Sequence, residues 1–134
     1  KSMNPQVKEN WVNALRSGEY QQGAGKLRNS DGFCCLGVLC DLYSQEPFTK
    51  GWVFHGAFEE ENTQPTDYWK FDGEKEFLPK SVMEWAGLSK NNPVVDVYWE
   101  DDEGDCGNFD ECISELNDGG YSFTQLADII EAQL

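Results

Sequence analysis

The chain has 134 residues, 39% hydrophobic and 13% aromatic, with a formal net charge of −15, which describes one folded domain rather than a disordered or fibrous chain. The charge is uneven: residues 1–45 carry five basic and four acidic groups, residues 46–134 carry five basic and 21 acidic, and no Lys or Arg follows Lys90. Such a surface repels phosphate backbones and anionic lipid, which argues against direct nucleic-acid or membrane binding and leaves a basic protein partner, crude nucleic-acid mimicry or plain solubility as the meaning of the acid.

No run of about 18 apolar residues is present, and no basic stretch followed by an apolar one opens the chain, so a cytoplasmic protein is expected. Five cysteines without a secretory signal predict reduced thiols rather than a disulfide framework.

Asn4 before Pro5 is a helix start, and Gly18 a stop, for a first helix over about residues 5–17, with Val7, Trp11 and Leu15 forming one apolar stripe. Residues 19–32 read as an irregular strand and a turn. Their Gly23-Ala-Gly25 lacks the spacing of either phosphate-binding glycine motif, so it predicts close backbone packing. From Cys34 or Cys35 to Tyr43 the pattern Leu36, Leu39, Cys40, Tyr43 predicts a helix buried on most sides, and Gly37 lets another element approach it.

Trp52–Phe58 has strand composition, Glu59-Glu60-Glu61 marks an exposed loop, and Asp67–Phe77 reads as a hairpin about the type I′ dipeptide Asp72-Gly73. A third helix is expected over about 79–86, with Val82, Trp85 and Ala86 inward and Gly87 as its stop. Val94–Trp99 is a strand, expected to pair with the hairpin. Glu100–Glu111, with seven carboxylates, is expected to be an exposed loop. A fourth helix is expected over about 109–117 with Phe109, Ile113 and Leu116 inward. Ser122 and Gln125 then form a capping box for a fifth with the stripe Leu126, Ile130, Leu134. The sum is a single α+β domain over residues 1–134, about five helices around a small antiparallel sheet.

Three constellations bear on chemistry. A thiol at the start of the second helix gains acidity from orphan backbone N–H groups, which makes Cys35 or Cys34 a candidate nucleophile, with Gln21 or Gln22 as oxyanion donor, His55 as general base and Glu59 to orient it. The order Gln, Cys, His is that of papain-like hydrolases, but the spacings and local signature are not theirs. Cys34, Cys35, Cys40, Cys106, Cys112 and His55 lack the paired knuckles of zinc sites, and Asp101, Glu103 and Asp105 put Cys106 where a calcium loop needs glycine, so neither metal nor cofactor is expected. Residues 119–130 have the pattern of a helix-turn-helix, yet its face would be Thr124, Gln125 and Asp128, with no cation to meet DNA.

The segments Tyr20-x-Gln22-Gly-x-Gly-x-Leu27, Phe33-Cys-Cys-Leu-Gly-Val-Leu-Cys-Asp-Leu42, Leu78-Pro79 with Trp85-Ala-Gly-Leu88, and Leu116-Asn-Asp-x-Gly-x-Ser-Phe-x-x-Leu-Ala-Asp-Ile-Ile-Glu131 resemble a family of small bacteriophage and prophage proteins. The resemblance touches most of the chain, its most specific part being the Cys-Cys-Leu-Gly-Val-Leu-Cys block. It implies a phage origin and the cytoplasm of a bacterial host, without an assigned reaction. The leading expectation is a non-catalytic accessory or interaction protein whose acidic C-terminal half meets a basic partner. The alternative is a small cysteine-dependent hydrolase using Cys35 or Cys34, His55 and Gln22.

Overall fold

Two helix starts in this chain are set by local side-chain chemistry. In the computed structural model, which describes residues 3–56 and 67–134, helix α1 spans Pro5–Arg16. The Asn4 side chain accepts from the N–H groups of Gln6 at 2.9 Å and Val7 at 3.2 Å, relieving two donors that the helix cannot satisfy internally. The buried stripe is Val7, Trp11, Val12 and Leu15. The fifth helix of the fold, α5 (Phe123–Gln133), starts at the expected capping box: Gln125 N–H donates to Ser122 Oγ at 3.1 Å, and Ser122 N–H to Gln125 Oε1 at 2.9 Å.

The core is organised on α2 (Cys35–Ser44), in which every residue from Cys35 to Cys40 is buried, as is Tyr43. A helix apolar on all sides has to be surrounded. Around it pack α1, α3 (Lys80–Ala86) and α4 (Ile113–Asp118). The Trp11 indole N–H donates to the Cys35 carbonyl at 2.9 Å, pinning α1 to the first turn of α2. On another side the backbone of Leu27 crosses at Gly37, where an added Cβ would stand 1.8 Å from the Leu27 carbonyl oxygen.

Strands β1 (Arg28–Asn29), β2 (Gly32–Phe33), β3 (Trp52–His55) and β4 (Tyr68–Phe71) form a four-stranded sheet in the order β2-β1-β4-β3, with every neighbouring pair antiparallel. Phe71 is fully buried and joins the sheet to α2, its ring 5.9 Å from Tyr43 and 5.0 Å from Trp52. The Asp72-Gly73 turn forms as expected, with φ of 47° and 85°, and Phe71 and Glu74 exchange hydrogen bonds of 2.8 and 2.9 Å. The expected return strand to Phe77 does not form. The Lys75 carbonyl accepts from Leu27 N–H at 2.7 Å instead, and β4 pairs with β1 and β3. The distal end of the expected Trp52–Phe58 strand and the Glu59–Glu61 loop lie outside the described residues.

The largest departure from expectation is at the acidic run. Val94–Glu100 (β5) pairs with Cys106–Cys112 (β6) in a separate two-stranded sheet rather than with the hairpin about Asp72, and only residues 101–105 turn. The Asp101 carboxylate accepts the N–H groups of Glu103 at 3.0 Å and Asp105 at 2.9 Å, and Gly104 takes φ of 86°, so acid and glycine fold the turn together. The fourth helix therefore begins at Ile113 instead of near Phe109, and Phe109, expected inward, is 42% exposed.

Because the Leu27 carbonyl leaves no room for a methyl group, Gly37→Ala is expected to destabilise the fold by about 3 kcal/mol, the upper end of overpacking costs, read as a lower urea midpoint at unchanged slope.

Candidate functional site

The N-terminal end of α2 carries the residues that the sequence marks as reactive. Cys34 is the N-cap, with extended backbone and 2% exposure, and Cys35 opens the helix fully buried. Burial pushes the Cys34 thiol up to about 11 and the Cys35 thiol well above its ordinary value; the nearby N–H groups of Leu36 and Gly37 pull the other way at Cys34 without overcoming it. The expected helix-terminus activation is therefore reversed: losing water costs a thiolate more than two backbone N–H groups return.

Gln22 is likewise engaged. Its amide nitrogen donates to Asn117 Oδ1 at 2.9 Å and to the Tyr121 carbonyl at 2.7 Å, and its oxygen accepts from Phe123 N–H at 3.2 Å. Asn117, 4% exposed, is the hub of this network, and the sequence reading misses it. Its oxygen also accepts the Cys35 N–H at 3.2 Å, and its nitrogen donates to the Gly23 carbonyl at 2.9 Å and to Asp118 at 3.1 Å. The Asn117 amide thus joins Gln22 to the Cys35 backbone.

His55 is not at this cluster. It ends β3, the edge of the sheet opposite β2, three strand spacings or about 14 Å from the strand that leads into Cys34. Its ring stacks on Tyr68 at 5.5 Å. Glu59, its expected orienting carboxylate, lies outside the described residues. A nucleophile and base of the papain type need hydrogen-bonding reach, which this placement does not provide.

The other candidate thiols lie outside the first turn of α2. Cys40 is buried in α2, Cys106 is exposed and Cys112 half-buried on β6, and among the described residues no three His, Cys, Asp or Glu side chains gather to hold a metal. Gly23 packs on the Gly32 backbone, and the Gly25 N–H is given to the Asp118 carboxylate at 3.1 Å, so the Gly-Ala-Gly segment is filled by the protein itself. On α5, Gln125 serves the capping box, while Asp128 and Glu131 hold Arg16 of α1 at 2.7 and 3.2 Å, which occupies the face that a DNA-reading helix would present. Cys34 also lines a polar hollow of about 150 Å³ with Lys26, Glu76, Asn92, Ser114 and Asp118, too small for a drug-sized ligand. In the four-stranded sheet the Arg28 guanidinium lies over Trp69, Phe33 and Trp52 at 4.4, 4.9 and 5.6 Å, covering an aromatic cluster that the sheet leaves half-buried.

Exposed apolar side chains gather most on the β5–β6 hairpin. Of the eight large hydrophobic side chains exposed among the described residues, Val94, Tyr98, Trp99 and Phe109 lie on it. Its two faces differ because side chains alternate. Val95 and Val97 are buried on one face, which continues outward through Phe109 and Trp99, the indole lying against Gly107 at 3.1–3.3 Å from where a Cβ would be. The opposite face carries Asp96, Tyr98 and Glu100 across from Asp110, Asn108 and Cys106. Aromatic side chains therefore stand exposed beside carboxylates on this hairpin.

Fold and surface define a small acidic α+β domain with a hairpin free on its outer side. The chain belongs to the family described as a domain of unknown function (DUF8296), matched over residues 3–134. Among curated proteins it is similar to a probable NADPH:adrenodoxin oxidoreductase, mitochondrial, of Schizosaccharomyces pombe, 31% identical over 93 residues, covering 61% of this chain and 17% of that protein. No solved structure matches at significance.

Native thiol labelling checks the burial. Near neutral pH iodoacetamide is expected to modify Cys106 readily, Cys112 more slowly, and Cys34, Cys35 and Cys40 only after unfolding; fast labelling of Cys34 or Cys35 that depends on His55 would restore the nucleophile reading. The raised Cys34 value carries a pH sign. The folded state holds the proton longer than the unfolded one, so this contribution to stability is complete below about pH 9 and is lost as pH climbs towards about 11. Urea midpoints of the native chain should fall more steeply across that window than those of Cys34→Ala.

Proposed function

We propose that this protein is a non-catalytic interaction protein of phage type, acting in the cytoplasm of a bacterial host, and that the β5–β6 hairpin is the arm with which it engages a basic protein partner. The observation that carries the reading is the joint exposure of Tyr98, Trp99 and Phe109 on a hairpin whose charged side chains are all acidic, in a region without Lys or Arg. Carboxylates steer a cationic partner in and set orientation, while buried aromatic contacts supply most of the affinity. The phage and host assignments rest on the resemblance of the Cys34–Cys40 block and its companion segments. No helix among the described residues is long and apolar enough to cross a membrane, which is compatible with that setting.

The cysteine-hydrolase alternative has less support, since its thiols are buried with raised pKa values and its histidine stands across the sheet. The activity in the name of the fission-yeast relative belongs to a protein of which this chain spans 17%, and the glycine segment most like a phosphate cradle is taken up by Asp118.

Affinity capture from bacterial cytosol tests the proposal. The native protein is expected to retain a basic protein that is released by about 0.5 M salt, where charges are screened beyond a few ångströms. Trp99→Ala with Phe109→Ala should weaken that complex by about 2 kcal/mol or more while leaving the circular dichroism spectrum unchanged. Retention of nothing basic, or retention indifferent to both salt and the double substitution, would refute the reading.

A further inference from the structure

The ladder of the hairpin has a definite phase, and that phase leaves the outer groups of β6 unused. Pro93 accepts from Ile113 N–H at 2.9 Å and Asp101 N–H donates to Asp105 at 2.9 Å, so in this antiparallel pair the residues Val95, Val97 and Trp99 exchange bonds with Glu111, Phe109 and Gly107. The alternate residues then turn their backbone groups outward: Asp96 and Tyr98 on β5, Asn108 and Asp110 on β6. On the outer edge of β5 the Asp96 position is taken, because Gln133 from α5 accepts from Asp96 N–H and donates to Asp96 O, both at 2.7 Å. At the base of β6 the Cys112 N–H is given to the Glu111 carboxylate at 2.9 Å. Between these, and among the described residues, nothing pairs with the outward N–H and C=O groups of Asn108 and Asp110, both of which are exposed.

An open strand edge is a template for another strand, and proteins ordinarily blunt it. Here it is blunted selectively. The face beside the edge carries Asp96, Glu100 and Asp110, so a second copy laid edge to edge would bring carboxylates against carboxylates. A cationic strand meets the opposite condition. The side-chain alternation fixes its pattern: residues on the Asp110 side would be Lys or Arg, and residues on the Phe109 and Trp99 side would be apolar.

Resting on the interaction reading above, we propose that the outer edge of β6 at Asn108–Asp110 is a strand-addition site for an extended protein segment in which basic and apolar residues alternate. The segment extends the two-stranded sheet to three, with backbone hydrogen bonds giving hold and the alternating side chains giving selectivity. Gln133 weighs against addition on the other side by taking the outward groups of Asp96 on β5.

A short synthetic peptide alternating Arg and Val is the probe, set against the same peptide N-methylated at every second amide so that charge and side chains persist but one edge cannot donate. With the intact, isotope-labelled protein, the first peptide is expected to slow exchange of the Asn108 and Asp110 amides and to bind about tenfold or more tightly than the methylated one, the equivalent of one or two backbone hydrogen bonds. Asp110→Lys should abolish binding while leaving exchange of the Val95 and Val97 amides unchanged. Equal affinity of the two peptides overturns strand addition and leaves acidic docking standing; failure of both to bind overturns strand addition and docking together. Protection of the same amides that grows with protein concentration alone assigns the edge to a second copy and overturns the proposal.

Discussion

The side-chain amide of Asn117 is the interaction on which the arrangement of this protein depends. Helix α2 has to be buried because it is apolar on all sides, yet burial strands the N–H groups of its first turn, and Cys34 at its N-cap makes no capping bond with its side chain. Asn117, from α4, supplies that cap across the core to Cys35 N–H, and with its other bonds holds Gln22, Gly23 and Asp118. A buried amide leaves a costly orphan when any partner is removed, so these contacts stand or fall together. Among the described residues no buried side-chain nitrogen or oxygen lacks a partner.

That arrangement explains why the thiols of a cysteine-rich segment are buried and raised in pKa. The close contact at Gly37, the Trp11 bond to the Cys35 carbonyl and the Asn117 cap together exclude water from the start of α2. Thiols in such a place are small hydrophobic groups, and their raised pKa values are the consequence of the packing. Gln22, which a hydrolase would use to stabilise an oxyanion, is consumed in tying the segment before β1 to the turn between α4 and α5.

Charge is partitioned in the same way. The helical side of the molecule uses its acid internally, as where Asp128 and Glu131 hold Arg16. The hairpin keeps its acid outward beside exposed aromatics, where mutual repulsion is relieved by solvent and by the backbone bonds that Asp101 accepts. An acidic run can therefore be ordered structure, provided that its carboxylates find backbone donors at the turn and its apolar side chains find a face. Burial of Val95 and Val97 and the bonds of Gln133 to Asp96 anchor β5, and β6 follows by pairing.

Much of the architecture was legible because it is written in local chemistry. The caps of α1 and α5, the glycine stop of α3, the type I′ turn at Asp72-Gly73 and the α+β class depend on residues a few positions apart, and the buried periodicity of α2 on a single stretch. Where local and distant preferences compete, sequence reading failed. Cys106–Cys112 has poor strand composition and becomes a strand because β5 offers it a ladder, and Phe109 stands across from Val97, 42% exposed, because pairing, not helical periodicity, sets its place. The candidate site divided along the same line. Residue types mark Cys34, Cys35, Gln22 and His55 as reactive, and those types are a property of the sequence alone. Whether they are wet, paired or near one another was decided only in three dimensions, because desolvation, the Asn117 network and the width of the sheet all come from segments far apart in the chain.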